Sequence, residues 1–386
     1  MPATTGQVAP AQEAGRAQPQ TTVEPAGGPF IQHAQAGIRT GYDVTGTALG
    51  GQVTQPIPAA AGYLRGYQVR IQATGGVGSG TTGVSAADSP WNVVTYVSVK
   101  DAFGTVLISG GGYEILKLIP KYSGQYGLHA LSDPANLPSF SQVASTGNFT
   151  LHSYLPFEFV KGMGVISGAN ASLLPQITWQ FNPAPYGTAP GPTLPTLETI
   201  VDQKFYWLPE GVAIEPPGLG TTCQWIQQQA TPSIGSNASN LSVSLPRLGG
   251  YLTTLIFELR DSTGARVDPF AGVTNPRWRL KLDGVPVIDT LWTQWLDEMQ
   301  IQFAGAGSGQ WVRDTGVWAV TRKTSMNQES LGLLDTGETF LSTNPGTLVE
   351  VECPSWGSFT NSPATLTVVV GQVVPAGSLV TGLPEL

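Results

Sequence analysis

Hydrophobic residues along this chain gather in short runs with a period of two, each closed by glycine, proline, asparagine or aspartate. In YLRGYQVRIQAT (63–74), Tyr67, Val69 and Ile71 alternate with Gln68, Arg70 and Gln72, the pattern of a strand with one buried face. Runs that also predict strands are WNVVTYVSVKD (91–101), TVLIS (105–109), NFTLHSYLPFEFV (148–160), LLPQITWQF (173–181) and TIVDQKFYWLP (199–209). Farther along, SNLSVSLP (239–246), YLTTLIFELRD (251–261), GVWAVTRKT (316–324), GTLVEVECP (346–354) and ATLTVVVGQVV (364–374) read the same way. Helical periodicity is scarce. GGGYEILKLIPKY (110–122) reads as a short helical or coiled link bounded by glycines and Pro120. Within PRWRLKLDGVPVIDTLWTQWLDEMQIQF, Leu291, Trp292, Trp295, Leu296 and Met299 share one face of a 3.6-residue period, with Asp289 placed to cap the helix.

Two turns share one spelling. Lys100-Asp101-x-x-Gly104 and Arg260-Asp261-x-x-Gly264 each follow an apolar run, 160 residues apart. In such a turn Asp accepts bonds from backbone N–H groups ahead of it, and Gly takes a left-handed conformation that β-branched residues resist. After each turn come a helical link and three strands in the same order. The strand starts are offset by 168, 173 and 165 residues (148 to 316, 173 to 346, 199 to 364). The expectation is a duplicated domain, with equivalent hairpin turns at Asp101/Gly104 and Asp261/Gly264. About eight short strands per half, uneven loops and a brief helix predict an all-β chain of two tandem eight-stranded jelly rolls with short flanking helices. The expected boundaries are 37–215 and 216–386. Residues 1–36, rich in Ala, Gln, Pro, Thr and Gly, are expected to form a flexible N-terminal arm.

Composition narrows the function. Charged residues make up 11% of the chain, against a usual ~25%, while hydrophobic residues make up 41%. Such a chain has a large core and few charges to solvate its exterior, which suits a surface packed against copies of itself. The net charge of −8, with seven lysines, eleven arginines and no basic run, argues against nucleic acid as a direct partner. The first 60 residues carry Arg16 and Arg39 against Glu13, Glu24 and Asp43, so the arm is not a basic, genome-gripping one. Cys223 and Cys353 make neither a disulfide framework nor a metal spacing and are expected as thiols in or near the core. No run approaches the ~20 apolar residues of a membrane span. The N-terminus lacks a basic start followed by an apolar block, so a soluble chain made in a cytoplasm is expected.

Candidate chemistry is thin. His33, His129 and His152 belong to no zinc spacing, and the glycine runs GVGSG and GAGSG lack the Lys-Ser/Thr that closes a phosphate loop. Asp297 and Glu298 are adjacent on the helix and point to different sides. Glu158 and Asp202 are not singled out as a second acid for glycoside cleavage. No catalytic, cofactor or metal site is expected. Trp91, Trp179, Trp207 and Trp318 sit in apolar strands and are expected buried, Trp292 and Trp295 to pack a helix face, and Trp356 in CPSWGSF to be exposed. Sequons at Asn148, Asn170, Asn237 and Asn240 matter only on a secretory route. Two other readings stay open: a two-domain β-sandwich spike or glycan-binding protein with a concave aromatic patch, and a divergent glycoside-cleaving enzyme with two facing carboxylates.

Taken in order, RTGYDVTGTALGG…YLRGYQVRIQAT, VVTYVSVKDAFG…GGGYEILKL, NFTLHSYLPFEFVKGMGVISGANASLLPQITWQF, WLDEMQIQF…TGVWAVTRKTSMNQ and LVEVECPSW…ATLTVVVGQVV resemble the strands of the double-jelly-roll major capsid proteins of icosahedral, internal-membrane viruses. The tectivirus-like coat protein is the nearest match. The resemblance covers roughly residues 37–375 and rests on order, length and pattern rather than on a signature motif. It implies a structural role in the virion capsid, with homotrimers of near-hexagonal outline that tile an icosahedral shell. It further implies contacts with neighbouring trimers and with vertex and minor capsid proteins, and contact of the N-terminal arm with an underlying membrane.

Overall fold

The computed structural model describes residues 30–375, apart from 59–61, 78–87, 124–139, 144, 160–161, 169–173, 187–192, 211, 213, 218, 247–248, 305–312, 322–340 and 345. The first half contains a helical turn α1 (Phe30–His33) and the strands β1 (Gln35–Thr47), β2 (Gln52–Pro56), β3 (Tyr63–Thr74), β4 (Val94–Lys100), β5 (Val106–Gly110), β6 (Phe140–Val143), β7 (Asn148–Pro156), β8 (Ile166–Ser167), β9 (Gln176–Phe181) and β10 (Thr196–Trp207). A π-helical turn, Tyr113–Leu118, runs into α2 (Ile119–Tyr122) between β5 and β6. The second half contains β11 (Thr221–Gln229), β12 (Ser239–Ser244), β13 (Gly250–Arg260), β14 (Arg277–Leu282), β15 (Val285–Leu291), α3 (Trp292–Ala304), β16 (Val317–Thr321), β17 (Leu341–Thr343), β18 (Val349–Ser355) and β19 (Thr365–Pro375).

Strand pairing shows the plan behind this order. In the first half one sheet runs β1-β10-β3-β7 and the other β5-β4-β9-β2. In the second half the orders are β11-β19-β13-β16 and β12-β18-β14-β15. With the short β6, β8 and β17 set aside, both halves obey one rule. The first, eighth, third and sixth strands make one sheet, and the second, seventh, fourth and fifth make the other. Each half is a jelly roll, and the chain is a double jelly roll. In each roll the helical element follows the fifth strand and precedes the sixth.

The rolls are fused. β5, the edge of a first-roll sheet, pairs in parallel with β11, the edge of a second-roll sheet, through Ile108–Trp225 and Ser109–Ile226. One nine-stranded sheet therefore crosses both rolls. Trp225 is fully buried and donates its indole N–H to the Pro156 carbonyl at 3.0 Å, while the Cys223 amide bonds the Phe157 carbonyl at 3.0 Å. Buried apolar residues of both rolls form one contiguous cluster.

The topology corrects the equivalence of the two Asp-x-x-Gly turns. Residues 101–105 join the fourth and fifth strands of the first roll, whereas 261–265 follow the third strand of the second. Counterpart third strands begin at Tyr63 and Gly250, an offset of 187, not 160. The true counterpart of the first turn is Asp283-Gly284, with φ of 49° and 79°, the two-residue hairpin joining β14 to β15. The sixth, seventh and eighth strands do correspond as expected, starting at 148 and 317, 176 and 349, and 196 and 365.

Three further expectations change. The helix begins at Trp292, so Leu291 closes β15 and Asp289 lies within that strand. Asp289 pairs with Arg277 at 3.1 Å and Arg279 at 3.2 Å instead of capping the helix. The Asp283-Gly284 hairpin holds this stretch extended against β14 until residue 291. Of the expected arm, residues 1–29 lie outside the described residues, but the end of it is packed: Phe30 is buried between the rings of Tyr63 and Tyr206, at 5.5 and 5.6 Å, and β1 begins at Gln35. Finally, Trp356 is fully buried and donates to the Leu241 carbonyl, whereas Trp207 is 41% exposed at the end of β10.

Replacing Trp225 by Ala removes both its volume and its tie to Pro156. We expect a loss of about 3–5 kcal/mol, read as a lower midpoint in chemical denaturation.

Candidate functional site

Beside the β5–β11 seam the rolls meet a second time, through side chains. The chain leaves β5 through Gly110-Gly111-Gly112, and here bulk is forbidden: a Cβ on Gly112 would lie 2.4 Å from the Trp91 carbonyl oxygen. The π-helical turn that follows is packed against the second roll and carries Tyr113, Glu114 and Lys117, with Lys121 and Tyr122 on α2. Tyr122 also meets Phe303 of α3 edge-on at 5.4 Å, so the helical elements of the two rolls touch.

Around them lies a cluster of four acids and four bases, with Asp88, Glu114, Lys117 and Lys121 from the first roll and Glu258, Arg260, Arg266 and Asp314 from the second. Asp314 accepts from Lys121 at 2.6 Å and Lys117 at 2.8 Å, and Tyr122 donates to it at 3.2 Å. Arg260 lies 2.7 Å from both Asp88 and Glu258 and 3.7 Å from Glu114. Arg266 lies 2.9 Å from Asp88, donates to the Tyr113 hydroxyl and stacks 4.4 Å above that ring. The contacts of Arg260 with Glu258 and of Arg266 with Asp88 Oδ1 are ion pairs by proximity rather than aligned hydrogen bonds.

Burial and pairing pull these groups in opposite directions. Burial alone pushes the Asp314 carboxyl up, but Lys121 and Lys117 outweigh it and hold Asp314 well below the usual carboxylate range. Burial pushes the Lys121 ammonium down despite Asp314. Glu258 is raised well above its ordinary value, first by burial and then by facing Glu114, against the pull of Arg260.

The two Asp-x-x-Gly turns, though not counterparts, are built alike. Asp101 Oδ1 accepts from the amides of Phe103 (2.9 Å) and Thr105 (2.8 Å), and Asp261 Oδ1 from those of Thr263 (2.9 Å) and Ala265 (3.0 Å). Gly104 and Gly264 sit at φ of 87° and 83°. Asp261 has more partners, the Thr263 hydroxyl at 2.6 Å and Asn361 at 2.9 Å, and these bonds push its carboxyl down to about 2. On α3, Trp292 and Met299 are buried, while Trp295 and Leu296 are half-buried; Leu291 lies off the helix. Trp292 and Trp295 pack into an aromatic cluster with Phe270, Trp278 and Trp318.

The other candidates do not converge. His33 lies in α1, His152 in β7 opposite Arg70, and residue 129 outside the described residues. Burial and Arg70 push the His152 imidazole down. Asp297 and Glu298 are both exposed. Glu158 is buried at the end of the first roll and bonds Arg65 (2.7 Å), Tyr206 (2.9 Å) and the Gly162 amide (2.6 Å). The two glycine runs lie largely outside the described residues. Among the described residues no group of three or more His, Cys, Asp or Glu is arranged to hold a metal ion, and no helix is long and apolar enough to cross a membrane. Cys223 and Cys353 are buried in β11 and β18. Among the described residues the outer surface instead shows scattered large apolar side chains, with Ile38 and Val285 the most open at 63%. The buried ionic junction itself had no short-range signature, because its members are spread from residue 88 to residue 314.

No protein-family model matches the chain, and no curated protein matches it. Solved structures do. The STIV MCP is 15% identical with a TM-score of 0.58, over 90% of this chain and 100% of that one. A chain in the atomic structure of Sulfolobus Turreted Icosahedral Virus is 14% identical with a TM-score of 0.59, over 91% and 94%. The major capsid protein P2 from bacteriophage PM2 is 11% identical with a TM-score of 0.52, over 89% and 99%. The likeness is one of fold along nearly the whole chain, both rolls included.

Two outcomes follow from the ionic junction. Asp314→Asn leaves two buried ammonium groups without their counter-charge and should cost about 3–5 kcal/mol in denaturant titration. Glu258 holds its proton more tightly in the folded chain than in the unfolded one. Its contribution is therefore complete below the ordinary Glu value of about 4.3 and is lost as pH rises through the raised folded value. Stability of Glu258→Gln, measured over that window, should fall less steeply with rising pH than that of the wild type.

Proposed function

We propose that this chain is a viral major capsid protein, a structural subunit without an active site, that forms homotrimers and tiles an icosahedral shell. One observation carries the reading: two jelly rolls of identical strand order fused edge to edge, a whole-chain architecture shared with proteins named as major capsid proteins. The physical case agrees with it. Two rolls locked by a common sheet and a buried ionic junction make a broad block, and three such blocks around an axis place six rolls in a near-hexagonal ring. A charged content of 11% and apolar side chains such as Ile38, Phe103, Tyr251 and Val285 standing in solvent suit lateral packing that repeats at every contact.

In this reading the two rolls divide near residue 215, between β10 and β11, and the chain resides in the virion capsid after synthesis in the host cytoplasm. The residues before the first roll meet neighbouring subunits or an underlying membrane, and vertex and minor capsid proteins complete the shell. The turns at Asp101/Gly104 and Asp261/Gly264 shape loop ends, and the α3 face docks on the second roll.

Light scattering on the purified chain, with negative-stain images of the same sample, tests this. The expected result is a compact trimer with a six-lobed outline. A stable monomer at high concentration would leave the fold intact and sink the shell-building role.

A further inference from the structure

Fusion of the two rolls uses one fifth strand and one first strand and leaves the other two unmatched. At the seam β5, the fifth strand of the first roll, lies against β11, the first strand of the second. The remaining fifth strand, β15, and the remaining first strand, β1, are both sheet edges. Burial differs accordingly. Leu107, Ile108 and Gly110 of β5 and Thr222, Cys223, Gln224 and Trp225 of β11 are buried, whereas no residue of β1 or β15 is.

Strand register turns this difference into residues. Both fifth strands skip one residue at the same place in their pairing with the fourth. Val99–Ile108 is followed by Lys100–Val106, and Leu280–Ile288 by Lys281–Pro286. Ile288 is therefore the counterpart of Ile108, and Pro286 that of Val106. The eighth strands give the ruler for the first ones. TLETIVD (196–202) and TLTVVVG (365–371) start level, with Leu197/Leu366, Thr199/Val368 and Val201/Val370 buried in each. On that alignment Thr40, opposite Asp202, matches Trp225, opposite Gly371. Ile38, opposite Lys204, matches Cys223, opposite Val373.

Val106 and Cys223 each lie two residues before the paired Ile108 and Trp225, so on parallel strands they are level. Repeating the seam between copies sets Ile38 level with Pro286 and beside Val285. Ile38 and Val285, each 63% exposed, are the most open large apolar side chains among the described residues. Pro286 has no N–H to offer, and β1 shifts register just after Thr40, so this second contact is made by side chains rather than by a hydrogen-bond ladder.

We infer that β15 of one copy packs head to tail against β1 of a second copy of this chain, with Val285 and Pro286 on Ile38. The inference rests on the trimer of the proposed function: a head-to-tail contact can close into a ring, and three copies close a ring of six rolls. The test is thiol cross-linking of the full-length protein under conditions where light scattering shows trimers. Ile38→Cys/Val285→Cys, treated with a short bismaleimide, should give covalent dimers and trimers on a denaturing gel. Either substitution alone should leave single chains, since Cys223 and Cys353 are buried. Val143→Cys/Val285→Cys should also leave single chains, although Val143 is 53% exposed on another sheet edge, β6. A second readout needs no reagent. Ile38→Glu and Val285→Lys should each raise the concentration at which half the trimer dissociates by about tenfold, because a charge enters an apolar contact. The two together should recover most of that loss. Both positions are open, so circular dichroism of each variant should match the wild type. Trimers that cross-link no better through Ile38 than through Val143, or that gain nothing from the paired charges, overturn the edge assignment and leave the shell-building role standing. A monomer at every concentration overturns both.

Discussion

A strand at the edge of a sheet carries unpaired N–H and C=O groups, and β5 and β11 answer that need for each other. Their parallel pairing spans only Ile108–Trp225 and Ser109–Ile226, too short to fix two rolls by itself. The ionic junction beside it supplies the specificity. Asp314 must meet Lys117 and Lys121, and Arg260 and Arg266 must meet Asp88, or buried charges are left alone. Replacing such a cluster with apolar residues can be neutral or even stabilising, so its value lies less in net energy than in penalising every misaligned docking. The seam makes one sheet of two rolls, and the charges pair across the docked rolls beside it.

This also explains why the helical link after β5 is tightly constrained. It must pass beneath the Trp91 and Val94 carbonyls, which only Gly112 permits, and then present Tyr113, Glu114 and Lys117 to the second roll within two turns of chain. Sequence, backbone path and inter-roll contact are settled in one short segment. The second roll uses the same connection differently. Its α3 is longer and sends Trp292 and Trp295 into its own aromatic core, while Phe303 reaches across to Tyr122.

Much of the fold was legible because its central strands bury one face. β3 alternates Tyr67, Val69, Ile71 and Ala73 with polar residues and was visible as a strand, as were β7, β10, β13 and β19. β1 and β11 were not, for a physical reason. QAGIRTGYDVTGT lies at a sheet edge with few buried positions, and TTCQWIQQQ is polar although its first residues are enclosed by neighbouring strands. The shared Asp-x-x-Gly spelling suggested the right number of domains by the wrong correspondence, since the turn answers a local need for tight reversal and recurs wherever one exists. The informative signal was Asp283-Gly284, a hairpin dipeptide between two half-buried runs. The ionic junction was beyond any linear reading, because its partners are brought together only by the docking of finished rolls.

Several free edges of the sheets share a further character. β2 ends in Pro56, β15 carries Pro286, β6 is four residues long, and β1 breaks register twice along its pairing with β10. Prolines, bulges and short lengths all discourage another chain from extending the sheet. At these edges, copies of the proposed capsid subunit would meet through side chains, and such contacts form and release one by one. A tile that could zip its backbone onto a neighbour would freeze in whatever orientation it first touched. Blunted edges leave a misplaced copy free to depart and be reseated, so accurate closure of a large shell becomes a matter of kinetics as much as of affinity.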